Sequence, residues 1–231
     1  MLLVSNYMKI TDRAWRHNSE NEALEDDHRT GHSYETPLRE DAFALTETEK
    51  IKSIAYHFGE IMNTLGLDIK DDSLRGTPLR VAKMYVQEIF SGLDPAKMPD
   101  ITLFENQYAY REMLIEKDIS VFSHCEHHFV PIYGKANVAY IPSGKVIGLS
   151  KLNRVVQYFA KRPQVQERLT VQIGKALQQI LQTKDVAVRI EASHMCVSMR
   201  GVQDTGSSTI SSFYEGKFRE NMTRNEFLRS L

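Results

Sequence analysis

Cysteine is close to absent. The 231-residue chain has two, Cys125 and Cys196, so no disulfide framework staples the fold, and in a reducing compartment so few thiols point to metal or redox chemistry. Long apolar runs are also missing. No stretch approaches the roughly 18 residues of a membrane-spanning helix, and Met1-Leu2-Leu3-Val4 is too short for a signal-peptide core, so a cytoplasmic protein without a membrane partner is expected. Neither charge dominates: 29 basic residues face 30 acidic ones, for a net charge of −1. That balance removes the electrostatic case for nucleic acid and means that any anion must be held by local groups. Repeats and low-complexity tracts are lacking as well. What remains, 42% hydrophobic and 26% charged residues, is ordinary for a globular chain with ample core.

The two cysteines keep particular company. Ser123-His124-Cys125-Glu126-His127-His128 is answered by His194-Met195-Cys196, so each cysteine lies within three positions of a histidine. Thiolate sulfur with imidazole nitrogen is a zinc donor set. Cys125, a neighbouring histidine and Cys196 on one ion would leave a fourth position open, the pattern of a catalytic zinc that activates water; a structural zinc wants a fourth protein ligand. His127 and His128 point to opposite sides if the segment is extended, so one of them is expected to share the metal with Cys125. The i, i+3 pair Cys125/His128 suits a turn wrapped around an ion, which leaves His127 for proton transfer, a role that an imidazole side chain suits at neutral pH. A lone buried cysteine is commonly just a small hydrophobe and a lone histidine a surface group. Four histidines and both cysteines in two short segments argue against that reading.

Periodicity divides the chain into a polar arm, 1–44, and a domain, 45–231, with a helical lead-in over 45–95 and a core over 100–231. The arm holds Trp15 and the run Glu25-Asp26-Asp27-His28-Arg29 and reads as flexible or partner-dependent. Thr46-x-x-Glu49 is a capping box, followed by Ile51, Ile54, Phe58, Ile61, Met62 and Leu65 at helical spacing and Gly66 as the stop. A second helix is expected from an N-cap at Thr77 with Pro78 in the first turn, burying Val81, Tyr85, Ile89 and Phe90 and ending near Gly92. From Ile101 the period is two, with strands over 119–123, 135–141 and a short return over 146–149. Ser150 then caps one helix and Pro163 opens another. Residues 185–200 read as one strand whose even positions begin as core and end as His194, Cys196, Ser198 and Arg200. A polar strand over 205–212 and a terminal helix capped by Thr223 follow. Helices, strands, a helix pair and strands again predict an α+β domain with an antiparallel sheet.

Two further groups suit a nucleotide. Ser150-Lys151-x-x-Arg154 lies at a helix start, where backbone donors and the dipole favour phosphate, and Arg200 follows Cys196 on the same expected face. Gln166-Glu167 pairs an amide with a carboxylate able to accept from the N–H donors of a guanine edge. Spacing alone leaves both open, since such residues are commonly a solvated helix face.

Cys125-Glu126-His127-His128, Gly148-Leu149-Ser150-Lys151-Leu152-Asn153-Arg154, the run from Arg162-Pro163-Gln164-Val165-Gln166-Glu167 to Thr170, and His194-x-Cys196-x-x-x-Arg200-Gly201 together resemble the GTP cyclohydrolase I family, as does Thr77-Pro78-x-Arg80-Val81-Ala82-Lys83-Met84-Tyr85. The resemblance covers about residues 45–231. It implies one zinc per subunit on Cys125, His128 and Cys196, proton transfer by His127 and His194, a triphosphate held by Ser150, Lys151, Arg154 and Arg200 with Arg80 from a neighbouring subunit, and guanine recognition by Gln166 and Glu167. The implied reaction is hydrolysis of GTP to 7,8-dihydroneopterin triphosphate and formate, the first step of tetrahydrofolate biosynthesis, in an enzyme class with room for allosteric control. The implied architecture is the tunnelling fold, an antiparallel sheet with a helix pair on one side, assembled as a homodecamer of two stacked pentamers. Before Thr46 the likeness is confined to Glu35-Thr36-Pro37-Leu38-Arg39, and His124 stands where the family suggests a smaller residue.

Three rival readings give different expectations. A zinc nucleobase deaminase is suited by His124-Cys125-Glu126 but needs a Pro-Cys-x-x-Cys segment that two cysteines cannot supply. A Cys125 nucleophile would be alkylated with or without zinc. A structural zinc protein that forms rings without catalysis would show a fourth protein ligand.

Overall fold

The computed structural model describes residues 34–231. The arm readings at Trp15 and Glu25–Arg29 fall on residues outside that range. Where the arm's end is described, Gln172 Nε2 donates to the Tyr34 carbonyl at 3.0 Å, and Arg162 Nη1 donates to Thr36 Oγ1 at 3.3 Å.

The lead-in begins with α1 (Glu47–Thr64), closed by the expected capping box: the Glu49 N–H donates to Thr46 Oγ1 at 3.3 Å and the Thr46 N–H donates to the Glu49 carboxylate at 2.8 Å. Ile51 and Met62 are buried while Ile61 and Leu65 stay exposed, so one chain covers only part of the apolar stripe. α2 (Thr77–Lys83) packs on α1 and runs on as a π-helical turn, Met84–Ile89. Thr77 is its first residue rather than its cap. Gly76 takes the cap position and the Thr77 hydroxyl accepts from Arg80 Nη2 at 2.9 Å. Of the expected stripe Phe90 is buried and Val81, Tyr85 and Ile89 are half-buried. Gly92 does more than end a helix. Its N–H donates to the Lys161 carbonyl at 2.9 Å, and a methyl group there would collide with the Tyr158 carbonyl, so only glycine lets the lead-in come this close to the core.

The core runs β1 (Leu103–Glu105), β2 (Leu114–Cys125), β3 (Pro131–Tyr140), β4 (Lys145–Ile147), α3 (Leu149–Ala160), β5 (Pro163–Gln164), α4 (Gln166–Leu181), β6 (Val186–His194), α5 (Met195–Ser198), β7 (Thr209–Tyr214) and α6 (Asn221–Arg229). The main sheet has the order β5-β2-β3-β6-β7 and is antiparallel except for β5, which lies parallel to β2. α3 and α4 cover one face as the expected helix pair. Leu152, Val155, Val156 and Phe159 of α3 and Leu169, Ile173, Leu177 and Leu181 of α4 meet Val121, Val138, Val188 and Ile190 of the sheet, each contributing about 1.5–3 kcal/mol by burial. Ala139 and Ala187 point to the other face, under Phe227 of α6 and Phe218 just before it.

Several boundaries move for local reasons. The return strand β4 pairs with β1 instead of β3, because β3 already has β2 and β6 on its two edges. Pro163 opens no helix: Gln164 is bound into the parallel bridge with Cys125, and α4 waits until Gln166. Ser150 lies inside α3 behind an N-cap at Gly148, and Thr223 lies inside α6 behind Glu220. The strand expected over 185–200 stops at His194, where the chain winds into the one-turn helix α5. His194, Cys196 and Arg200 therefore do not share a strand face.

Candidate active site

β2 delivers Cys125 to the end of the sheet, and the chain reverses at once: the Phe129 N–H donates to the Cys125 carbonyl at 2.8 Å and the Cys125 N–H to the Val130 carbonyl at 2.9 Å. The intervening turn puts Nδ1 of both His127 and His128 at 3.8 Å from Cys125 Sγ. Ile132 of β3 is paired with His194, so the start of α5 brings Cys196 to the same place. The ligand atoms of Cys125, His128 and Cys196 all lie within 4.8 Å of one another. Two thiols and one imidazole, brought together at one end of the sheet, are a donor set that fits zinc. Burial pushes the Cys196 thiol up, and the adjacent Cys125 thiol adds to it. A dication at this point reverses that tendency by taking both as thiolates.

His194 is organised from behind. Its Nε2 lies 2.8 Å from Gln166 Oε1. Gln166 is buried, and its Nε2 donates toward the carbonyls of Ile190 at 3.2 Å and Thr209 at 2.9 Å and toward Ser211 Oγ at 3.0 Å. Carbonyls only accept, so the amide orientation is fixed and Oε1 faces the imidazole. The proton of neutral His194 therefore sits on Nε2, which leaves Nδ1 as the basic nitrogen. Burial lowers the His194 pKa, with Glu167 pulling the other way.

The other expected residues are distributed unevenly. Arg200 joins the cluster, with Nη1 3.1 Å from His128 Nε2. His127 is exposed beside it. Glu167, in the first turn of α4, is exposed and near enough to influence His194. Gln166 holds His194, and its amide is already taken up within the chain. Ser150, Lys151 and Arg154 occupy the start of α3, where Arg154 opens on a cleft of about 450 Å³ shared with Lys97 and Lys161. Arg80 is turned onto its own helix, donating to the Ser73 carbonyl at 3.3 Å and to Thr77 Oγ1. One chain thus brings Cys125, His128 and Cys196 together with His127, His194, Glu167 and Arg200, whereas Arg80 is bonded to Ser73 and Thr77 and Arg154 lines the cleft with Lys97 and Lys161. Sequence reasoning assigned nothing to Lys97 and Lys161, which no motif marks.

His124 packs against Phe90 with ring centres 5.4 Å apart, and Phe90 meets Phe129 at 5.2 Å, so the lead-in braces the turn that follows Cys125. Burial leaves His124 Nδ1 without a hydrogen-bond partner and lowers its pKa. Both depressed histidines give the same sign. The unfolded chain takes up their protons first, so this contribution to stability is complete above about pH 6.5 and is lost as pH falls through that value toward the depressed folded ones. Metal-stripped protein should therefore unfold at lower denaturant near pH 5.5 than near pH 7.5, and His124→Phe should narrow the difference. An unchanged pH slope in that variant would contradict the assignment to His124.

A sequence model of the family described as GTP cyclohydrolase I matches residues 54–231. GTP cyclohydrolase 1 of Flavobacterium johnsoniae is 59% identical over 192 residues, covering 83% of this chain and 86% of that protein. Its counterpart in Aeromonas hydrophila subsp. hydrophila is 58% identical over 198 residues, covering 85% and 90%. That of Salmonella arizonae is 53% identical over 214 residues, covering 92% and 96%.

Proposed function

The chain belongs to the GTP cyclohydrolase I family, and from that premise we propose that it opens the guanine imidazole ring of GTP hydrolytically, releases formate and recloses the product as 7,8-dihydroneopterin triphosphate. The observation that carries this reading is the meeting of Cys125, His128 and Cys196 with His127 and His194 at one end of the sheet. Zinc held there supplies a Lewis acid that makes water nucleophilic near neutral pH. Among the described residues the group has three members, and a zinc held by three protein ligands favours this over a structural zinc.

The chain's own residues do the rest. His194, neutral through burial and protonated at Nε2, accepts a proton at Nδ1. His127, exposed at the mouth, delivers one to the imidazole-ring nitrogen, which makes the neighbouring carbon electrophilic. The Glu167 carboxylate accepts from the guanine N–H donors, and Gln166 assists through His194. Arg200 beside the metal group, with Ser150, Lys151 and Arg154, holds the triphosphate. Because Arg80 and the α3 cations stand apart from the metal group within one chain, a complete site draws on a neighbouring subunit. That supports a ring assembly, proposed as two stacked pentamers. The proposed division is an arm over 1–44, a lead-in over 45–95 and a tunnelling-fold core over 100–231. Among the described residues no helix is long and apolar enough to cross a membrane, and we place the enzyme in the cytoplasm.

Incubating the purified protein with GTP and following formate and pterin fluorescence together tests the reaction. Stoichiometric appearance of both is expected. Formate without pterin would remove the rearrangement from the proposal, and neither product from an assembled, zinc-loaded sample would overturn it.

A further inference from the structure

The turn that carries His127 and His128 is tied to the body of the fold by a residue with no place in the reaction. Glu126 lies between Cys125 and His127, and its carboxylate pairs with Nη2 of Arg168 on α4; the two side chains are 25% and 13% exposed. Arg168 is itself framed, with Nε donating to Gln164 Oε1 at 3.2 Å. Gln164 is fully buried and donates to the Phe159 carbonyl at 3.0 Å and to Gln172 Oε1 at 2.8 Å. Main chain reinforces the link, for the Glu126 N–H donates to the Gln164 carbonyl at 3.0 Å. The second carboxylate oxygen of Glu126 lies 3.7 Å from His127 Nε2.

We propose that Glu126 and Arg168 are positioning residues: their ion pair clamps the Cys125–His128 turn onto α4, keeps the His128 imidazole aligned with the two thiols, and orients His127 beside them. The proposal rests on reading the cluster as a zinc site. An exposed ion pair would do little. This one is largely desolvated and hydrogen-bonded onward, so removing one partner strands a charge. Groups that hold metal ligands from behind typically matter by about 10–100-fold in metal affinity.

Glu126→Gln keeps the shape and an acceptor but removes the charge; Arg168→Met keeps the apolar stem and removes the fork. The rate of zinc release from the loaded protein to a chromogenic chelator should rise about 10-fold or more in each, and the double variant should be no faster than the worse single, since both act through one contact. The kcat for GTP should fall with KM little changed, because neither residue is among those proposed to hold substrate. Glu126→Asp, with its charge at shorter reach, should recover part of the loss and serves if the glutamine variant folds poorly by circular dichroism. Release at the wild-type rate in both single variants, or effects that multiply in the double, would overturn the clamp alone. A folded wild type that binds no zinc would overturn the metal reading and the clamp with it.

Discussion

Cys196→Ser should leave a folded protein that retains no zinc and has lost turnover by several orders of magnitude. Cys196 is one of the three residues proposed to hold the metal, and serine replaces a soft thiolate by a hard, neutral hydroxyl that zinc binds poorly at neutral pH. With two ligands left, the site should empty during purification. Without the metal the attacking water keeps its own pKa of about 15.7 instead of one near 7, which is the source of the expected scale. The fold should survive because Cys196 is only half-buried, on a one-turn helix at the rim of the sheet. Metal analysis, circular dichroism and GTP turnover on one preparation test this. Full zinc content together with near wild-type turnover would remove Cys196 from the ligand set.

His194→Ala should behave differently, remaining folded and zinc-replete while kcat falls by about 100- to 10,000-fold, the range for loss of a positioned acid or base. Cys125, His128 and Cys196 do not depend on the His194 ring. The deletion does leave Gln166 Oε1, inside a buried amide, without its imidazole partner, so a loss of about 1–3 kcal/mol in stability should accompany it. The acidic limb of the pH–rate profile should flatten if His194 must be neutral to act. Retention of most activity would exclude His194 from the proton transfers, whatever the change in stability.

Much of this was legible in the sequence, for identifiable reasons. The capping box at Thr46 and Glu49 is a local motif, and the structure forms it as written. The grouping of Cys125, His128 and Cys196 was legible because soft donors are rare in this chain and lie close together at spacings that a turn can close. The helix pair was visible from the four-residue spacing of Leu169, Ile173, Leu177 and Leu181. Other features depend on contacts between distant segments. Nothing near 185–200 announces that the strand stops at His194, yet the helical turn there is what brings Cys196 within reach of Cys125. For Gln166 the spacing left guanine recognition and a plain helix surface both open, and neither anticipates that it is buried under β6 and β7, with its amide holding His194. Pro163 looked like a helix opener, but its neighbour Gln164 is held beside Cys125, a pairing across 39 residues that local spacing cannot reveal. The ion pair between Glu126 and Arg168 spans a similar separation.

In the proposed mechanism Cys125, His128 and Cys196 hold a single zinc on which ring opening of GTP depends. The most direct measurement is to strip the protein with a chelator and add zinc back stepwise, recording bound metal and GTP turnover together. Turnover should be absent at the start, rise in proportion to bound zinc and level off at one equivalent per subunit. Turnover that persists in metal-free protein, or that stays absent while the metal equivalent is fully bound, would contradict the account.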